Sequence, residues 1–276
     1  MSNWQQLSPS AYHQMSVGKA FGLSDVGLTR PSNEDNFLID QELGLLTVGD
    51  GMGGHNDGEV ASATALVLVR DFIYSCGQDS DGAPTEEEDP DATWVDRMIP
   101  VLTVLSDALR YSNHQLYLQN QALGYSDGRG MGTTVTGLWL VPEQRVVLVF
   151  HVGDSRLYRY RDGELRILTR DHTVYQQAIE QGLLDNLPPR NLLLQAVGPS
   201  LVVAPDVQPY VYQSGDLYLL CTDGLYGVTP HDAIRQVLHH TVNEGVDLEM
   251  TCSQLIHLAK QHESRDNITA LLLLCD

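Results

Sequence analysis

Three apolar runs of the chain each stop at an aspartate, and this repeated pattern constrains the fold more than any other feature. The runs are "LLTVGD" ending at Asp50, "VVLVFHVGD" ending at Asp154 and "LYLLCTD" ending at Asp223. Two more acids stand directly before an apolar run, Asp35 in "NEDNFLID" and Asp266 in "RDNITALLLLCD". Short apolar runs bounded by Gly, Asn or Asp are typical of buried β-strands. If the last two strands run antiparallel to the first three, all five carboxylates meet at one edge of the sheets.

Carboxylates that gather away from water repel one another, so a cluster of this kind needs cations. Oxygen ligands without Cys or His favour hard ions, which indicates Mg²⁺ or Mn²⁺. Any single aspartate after a strand is more simply explained by the preference of Asp for turns. The shared placement of five of them favours a metal site. Glycine supports this interpretation, because a carbonyl such as that of Gly51 can approach an ion without interference from a side chain.

The loop that contains the first aspartate also fits a second pattern. Gly49, Gly51 and Gly54 have the spacing of a dinucleotide-binding fingerprint. In such a fold, the helix after the glycines leads to a second parallel strand that ends at a ribose-binding acid. Here the candidate acid, Asp71, falls inside a helical stretch, and Asp50 would point a negative charge at the pyrophosphate. The loop is therefore predicted to bind a metal rather than a dinucleotide.

Periodicity predicts an α+β fold with antiparallel sheets and flanking helices. Residues 1–16 are expected to be an irregular lead-in, 17–276 a single domain, and the acidic segment 78–92 a solvated loop. Pro100 is expected to start or kink the second helix. Strands are predicted over 20–25, 36–39, 44–48, 133–141, 145–152, 157–161, 165–168, 207–212, 217–221 and 267–274. Helices are predicted over 58–74, about 100–123, 174–181, 230–239 and 247–262.

Charge excludes two classes of partner. The 276 residues carry a formal net charge of −20, and Lys19 and Lys260 are the only lysines. Nucleic acid and anionic membrane surfaces are therefore unfavourable partners. The four cysteines form no C-x-x-C pair, no apolar run reaches the length of a membrane span, and no signal peptide is visible at the N-terminus. These features predict a soluble cytoplasmic protein with free thiols.

Eight motifs, in order along nearly the whole chain, resemble the metal-dependent Ser/Thr protein phosphatases (PPM, or type 2C) in their bacterial form. They are "SDVGLTRPSNEDNF", "VGDGMGGHNDGEVAS", "GMGTTVTG", "HVGDSRLY", "LTRDHT", "PRNLLLQAVG", "LLCTDGLYGV" and "SRDNITALLL". The resemblance implies a β-sandwich of two antiparallel sheets flanked by helices, in four layers ordered α-β-β-α. It also implies hydrolysis of phosphoserine and phosphothreonine in proteins by a metal-activated water, without a covalent phosphoenzyme. Such an enzyme opposes protein kinases in signalling.

The same resemblance implies a set of metal ligands. Asp50 would bridge two ions about 4 Å apart that acidify a water between them. The Gly51 carbonyl would bind the first ion, and Asp223 and Asp266 would complete the second. Asp154, together with Asp223, would bind a third ion. The resemblance leaves the choice between Mg²⁺ and Mn²⁺ open.

Further roles concern water and substrate. Glu34 and Asp35 would hold metal-bound waters, and Arg30 would clamp the substrate phosphate, for which a guanidinium offers a bidentate grip. The stretch 171–190 would be a mobile flap beside the cleft. The arginines of a predicted hairpin would contact an anionic phosphoprotein or would simply form an exposed face; they are Arg156, Arg159, Arg161, Arg166 and Arg170.

Two positions depart from the family pattern. Many eukaryotic members carry a histidine, a proposed general acid, where this chain has Met52; His55 nearby is a candidate for that role, and a metal-bound water is the alternative. Gln195 stands where bacterial relatives commonly have arginine. The main alternative function is a non-catalytic protein on the same fold that binds a phosphoprotein. Phosphorylated proteins are the expected partners in either case, and the oligomeric state is not readable from the sequence.

Overall fold

The computed structural model describes residues 6–53, 57–79, 94–183 and 185–276. Its strands are β1 (His13–Met15), β2 (Gly18–Asp25), β3 (Asn36–Asp40), β4 (Leu45–Gly49), β5 (Gly51–Met52), β6 (Gly132–Thr133), β7 (Val135–Val141), β8 (Val146–Val152), β9 (Arg156–Arg161), β10 (Glu164–Ile167), β11 (Asp206–Val211), β12 (Leu217–Cys221) and β13 (Ile268–Cys275). Its helices are α1 (Asp57–Asp79), α2 (Trp94–Ala122), α3 (Val174–Glu180), α4 (Asp223–Tyr226), α5 (His231–Glu244) and α6 (Leu248–Gln261).

The strands form two large antiparallel sheets and a short ribbon. One sheet has the order β1-β2-β13-β12-β9-β10, and the other has the order β11-β8-β7-β4-β3. The ribbon pairs β5 with β6. Because neighbouring strands alternate in direction, β4, β8 and β12 each have an antiparallel neighbour that starts where they end.

The core is divided into three clusters, which define the four layers. Side chains from both sheets, such as Phe37, Leu138 and Leu271, pack together between them. A second cluster joins α1 and α2 to the five-stranded sheet, and a third joins α5 and α6 to the six-stranded sheet. Strands buried on both faces need continuous apolar runs, which is why these runs stand out in the sequence. The predicted α-β-β-α sandwich is confirmed.

Several boundaries differ from the sequence predictions. The lead-in is not irregular throughout, because β1 pairs with β2 and buries His13 and Met15. The second helix begins at Trp94 rather than at Pro100, which lies inside it. Burial of its apolar stripe, at Met98 and Leu105 for example, outweighs the one backbone hydrogen bond that the proline removes. The segment predicted as one strand over 133–141 is split between β6 and β7. Most of the predicted acidic loop, 80–92, lies outside the described residues.

In the part of the chain that the structure describes, α1 is the one helix long and apolar enough to cross a membrane, with a mean hydropathy of 1.3 over its most apolar 18 residues. It contains no uninterrupted apolar run of that length, because Arg70 and Asp71 lie inside it. Ala61, Leu66 and Val69 are fully buried against α2 and the five-stranded sheet. The apolar composition of α1 follows from this core packing.

Candidate metal centre

The topology brings the five predicted aspartates to one edge of the sandwich. Asp35 precedes β3 and Asp50 follows its antiparallel neighbour β4, while Asp266 precedes β13 and Asp223 follows its neighbour β12. Asp154 follows β8, which runs parallel to β4 two strands away. The charges of the other four act on Asp50 and raise its pKa. These five carboxylates are called the acidic rim below.

Asp50 is fixed by its backbone. Its N–H donates to the Thr134 hydroxyl at 2.9 Å, and its carbonyl accepts from the Thr134 N–H and from the Thr133 hydroxyl, each at 2.9 Å. Burial, followed by repulsion from Asp35 and Asp223, raises the pKa of Asp50 well above its usual range. The carboxylate is thus held in a place where its negative charge is unfavourable without a cation.

Asp35 lies behind Asp50 and is 1% exposed. Its Oδ2 accepts hydrogen bonds from the hydroxyls of Thr222 and Thr269, both at 2.7 Å. Burial raises the pKa of Asp35 to about 7, although the two threonines oppose the shift. The hydroxyls orient this carboxylate but do not neutralise it.

Asp223 and Asp154 continue the acidic rim across the two sheets. Burial and the nearby Asp266 raise the pKa of Asp223 to about 6, and its Oδ1 is buried with no hydrogen-bond partner among the described residues. Burial and the charge of Asp223 raise the pKa of Asp154 to about 7. The Tyr226 hydroxyl donates to the Asp154 carbonyl at 2.7 Å, which fixes the backbone at this point.

Arg30 lies at the open side of the acidic rim. Its Nη2 donates to Asp266 Oδ2 at 2.8 Å, and its side chain is 47% exposed. Glu34 lies nearby, and burial raises its pKa. The structure therefore places both residues at the predicted site, although Arg30 is paired with an acid predicted to bind metal.

The acidic rim fits a hard divalent cation. Every donor is an oxygen, three of the pKa values are raised to between about 6 and about 7, and one buried oxygen of Asp223 has no partner. Within the described ranges, no three acidic, histidine or cysteine side chains form a closed coordination shell. The convergence of the five carboxylates is set by the backbone, because each lies at or next to the end of a strand.

Two glycines permit the close approach of backbone segments around the rim. A Cβ at Gly51 would lie 2.1 Å from the Gly58 carbonyl oxygen and 2.5 Å from that of Glu34. A Cβ at Gly224 would lie 1.9 Å from the Asn267 carbonyl oxygen. The loop at residues 50–53 is called the metal loop below. Any larger residue at Gly51 would force this loop away from α1, and any larger residue at Gly224 would force α4 away from the segment before β13. The ion contact predicted for the Gly51 carbonyl remains a prediction.

Sequence reasoning missed the residues that orient the carboxylates. The threonines at 133, 134, 222 and 269 all lie within motifs that carry the family resemblance. No local pattern indicates that their hydroxyls bond to Asp50 or Asp35, because these contacts form only in the folded chain. Asn267 links the Arg30 loop to β13: its Nδ2 donates to the Val26 and Ser32 carbonyls, and its Oδ1 accepts from the Glu34 N–H. The signal for Asn267 was its place directly after Asp266.

The predicted flap is described except at residue 184. It begins with Asp171, which Arg156 holds through two hydrogen bonds of 2.9 and 2.7 Å. Thr173 caps α3 by accepting from the Gln176 N–H, and it forms a bridge with Leu193. The base of the flap is therefore tied to its neighbours, and its mobility remains a prediction.

The structure is informative for some of the remaining predicted residues and not for others. His55, the candidate general acid, lies outside the described residues. Gln195 accepts a hydrogen bond from the Ala204 N–H at 2.8 Å. Three of the five hairpin arginines form internal ion pairs, since Arg156, Arg161 and Arg170 bond to nearby acids. Those three are held in place by acids of the same chain, which favours a structural role over contact with a phosphoprotein.

Comparisons with known proteins identify the family of this chain. The family model described as protein phosphatase 2C matches residues 30–245. The serine/threonine phosphatase stp of Listeria monocytogenes serotype 4b (strain F2365) is 32% identical over 260 residues, which are 91% of this chain and 93% of that protein. The chain therefore belongs to the protein phosphatase 2C family.

Solved structures are similar over nearly the whole chain. The crystal structure of the Mycobacterium tuberculosis serine/threonine phosphatase PstP/Ppp has a TM-score of 0.76 and 28% identity, with 94% of this chain and 100% of that chain covered. The catalytic domain of PstP in complex with two manganese ions has a TM-score of 0.72 and 29% identity, with 93% and 97% covered. The fold expected from the sequence is thus shared with solved phosphatases.

Proposed function

We propose that this protein is a metal-dependent Ser/Thr protein phosphatase that hydrolyses phosphoserine and phosphothreonine in proteins. One observation carries the proposal: five carboxylates converge at one edge of the sandwich, and one of them, Asp223, has a buried oxygen without a hydrogen-bond partner among the described residues. Family membership and the solved relatives support the same function.

Two Mg²⁺ or Mn²⁺ ions would be held by Asp50, Asp223 and Asp266, with the Gly51 carbonyl as a further ligand. Asp154 and Asp223 would hold a third. Bound ions of this kind lower the pKa of a coordinated water and neutralise charge on a phosphoryl group. The contribution of the chain is to fix the carboxylates: Thr133 and Thr134 hold the Asp50 backbone, while Thr222 and Thr269 orient Asp35.

Arg30 is the proposed phosphate ligand. One of its nitrogens bonds to Asp266, while the half-exposed guanidinium keeps further N–H groups open to an anion. Planar guanidinium groups bind two phosphate oxygens at once, which fixes the orientation of the substrate.

The cysteines support a mechanism without a covalent phosphoenzyme. Cys221, Cys252 and Cys275 are buried, and burial raises the pKa of each thiol. A protonated, buried thiol is not a nucleophile. A water molecule activated at the acidic rim would therefore attack phosphorus directly. In the cell, such an enzyme would oppose protein kinases in cytoplasmic signalling.

Hydrolysis of p-nitrophenyl phosphate tests the proposal. We expect activity to be lost in EDTA and restored by Mn²⁺ or Mg²⁺, but not by Ca²⁺, whose larger size and looser coordination place the attacking water poorly. Full activity in excess EDTA would exclude a metal-dependent reaction. Binding of a phosphothreonine peptide without turnover in Mn²⁺ would instead identify a non-catalytic phosphoprotein-binding protein.

A further inference from the structure

A small pocket lies beside the metal loop, and the proposed reaction makes no use of it. The cavity has a volume of about 240 Å³, and its lining combines apolar side chains, such as those of Met52, Leu194 and Val202, with the polar residues Gln195 and Ser200. Sites for drug-sized ligands and cofactors are usually about 300–1,000 Å³. The Met52 pocket, as we call it, is therefore suited to a single side chain.

The Met52 pocket is continuous with the metal loop. Met52 directly follows Gly51 in β5 and pairs with Gly132 in β6. Thr133, the next residue of β6, exchanges two backbone hydrogen bonds of 3.0 and 2.9 Å with Val197. Val197 thus extends the ribbon that begins at the metal loop by one isolated bridge. A ligand group that binds at the acidic rim would therefore lie next to the Met52 pocket along this ribbon.

Two buried asparagines of α2 hold the far wall of the Met52 pocket. Asn120 is 1% exposed, donates to the Met131 and Gly198 carbonyls, and accepts from the Met131 N–H. Asn113, also 1% exposed, accepts from the Gly198 N–H and donates to the carbonyls of residues 200 and 201. The walls are fixed before any ligand arrives, so little conformational entropy is lost on binding.

The mouth of the Met52 pocket exposes apolar surface. Val202 is 79% exposed and Leu194 is 47% exposed, and the neighbouring Leu201 is 53% exposed. The pocket lining contains no charged residue. A patch of this kind beside a catalytic cleft favours contact with apolar groups of a ligand over contact with its charges.

We infer that the Met52 pocket binds an aliphatic side chain of the substrate close to the phosphorylated residue, so that the enzyme selects phosphoproteins by this neighbour. The inference rests on the proposed function, because that function places the phosphoryl group at the acidic rim. The phosphate then provides the charged contact and the flanking side chain provides the apolar one.

A series of phosphothreonine peptides tests the inference. A single leucine is moved through the three positions on each side of phosphothreonine, in a background of alanine and serine, and kcat/KM is measured in Mn²⁺. We expect leucine at one position to raise kcat/KM about tenfold, as is typical of small apolar groups in a fitting pocket. Leu194→Ser and Val202→Ser should each reduce that preference severalfold. Met250→Ser, at a 61% exposed position on α6, is the matched control and should keep it.

Rates with p-nitrophenyl phosphate separate two kinds of failure. If this small substrate is hydrolysed but leucine has no effect at any position, the pocket inference is wrong and the proposed function stands. The inference is also wrong if the preference persists undiminished in both Leu194→Ser and Val202→Ser. If neither p-nitrophenyl phosphate nor any peptide is hydrolysed in Mn²⁺, the proposed function fails and the inference fails with it. Both variants change exposed side chains, and thermal unfolding checks that they fold.

Discussion

An aspartate lies near each end of strand β12, and the two differ in their hydrogen-bond partners. Asp216, at one end, is fully buried, and its carboxylate accepts from Arg161 Nε and Nη2 at 2.5 and 2.6 Å, from the Gln213 N–H and from the Tyr218 hydroxyl. Asp223, just past the other end, has a buried oxygen without a partner among the described residues. Its pKa is raised to about 6 by burial and by Asp266.

The contrast shows that this fold can neutralise a buried carboxylate with its own arginine. At the Asp216 end it does so, and the charge becomes part of the structure. At the acidic rim several carboxylates converge instead, and Arg30, which is half-exposed, bonds to only one of them. The free energy that this repulsion costs would be recovered on binding of an external cation. The contrast supports a stabilising role for Asp216 and the proposed metal-binding role for the acidic rim.

The largest effect is expected from Asp50→Asn. The substitution removes one charge from the centre of the acidic rim, and with it the shared anchor of the proposed ions. Since bound metals contribute several kcal/mol to catalysis, turnover of p-nitrophenyl phosphate should fall by roughly 10³-fold. The metal-free variant should be at least as stable as the wild type, because repulsion is relieved. A loss of both activity and metal-free stability would mean that Asp50 has a structural role like that of Asp216.

Arg161→Met tests the opposite end of β12. It leaves the Asp216 carboxylate buried without its cation, which should lower the free energy of unfolding by about 3 kcal/mol. Activity per folded molecule should not change, because the pair lies at the end of the strand far from the acidic rim. Urea denaturation and p-nitrophenyl phosphate assays measure the two quantities. Arg235→Met, which breaks an exposed pair on α5, is the control and should cost less than about 1 kcal/mol.

A smaller effect concerns pH. The pKa values of Asp35 and Asp154 are raised to about 7 in the folded protein, against about 3.9 in an unfolded chain. The folded state therefore holds extra protons between these values, and the stability of the metal-free protein should fall as the pH rises from about 4 to about 7. Asp35→Asn should make this fall shallower. Equal pH slopes for the variant and the wild type in EDTA would show that Asp35 does not titrate in this way.

The smallest effect is expected from Asp154→Ala, which removes the proposed ligand of an outer ion. The fold and the inner ions should be retained. The rate with a phosphoserine peptide should fall by about tenfold, a typical cost of losing an outer contact at a metal site. The rate with p-nitrophenyl phosphate should fall less, because its phenolate leaves without assistance. Equal losses on both substrates would assign Asp154 to the inner ions, and no loss on either would make it a turn residue.

The sequence predicted the acidic rim because strand ends are easy to locate. Continuous apolar runs mark strands buried on both faces, and an acid at the same place in each run needs only the antiparallel order to be brought together. Arg30 and Glu34 came from the family resemblance rather than from any pattern. Their positions beside the rim depend on Asn267, whose three hydrogen bonds join segments more than 230 residues apart.

Other features depend on tertiary contacts that no local pattern contains. The hydroxyls of Thr222 and Thr269 orient the Asp35 carboxylate, but threonine in or beside a strand usually signals only β-propensity. Pro100 suggested a helix start, whereas the helix begins at Trp94 and buries Met98 and Leu105 on either side of the proline. The pairing of Arg161 with Asp216 joins the ends of two strands that are adjacent in the sheet but 55 residues apart in sequence.

Calorimetric titration of Mn²⁺ into the metal-free protein measures whether cations from outside the chain complete the acidic rim. We expect at least two bound ions for the wild type and for Arg30→Ala, which loses the proposed phosphate ligand and its ion pair with Asp266 but no carboxylate of the rim. Binding to Asp50→Asn should be much weaker. Absence of Mn²⁺ binding to the wild type, or equal binding to the wild type and Asp50→Asn, would show that the rim is not completed by cations.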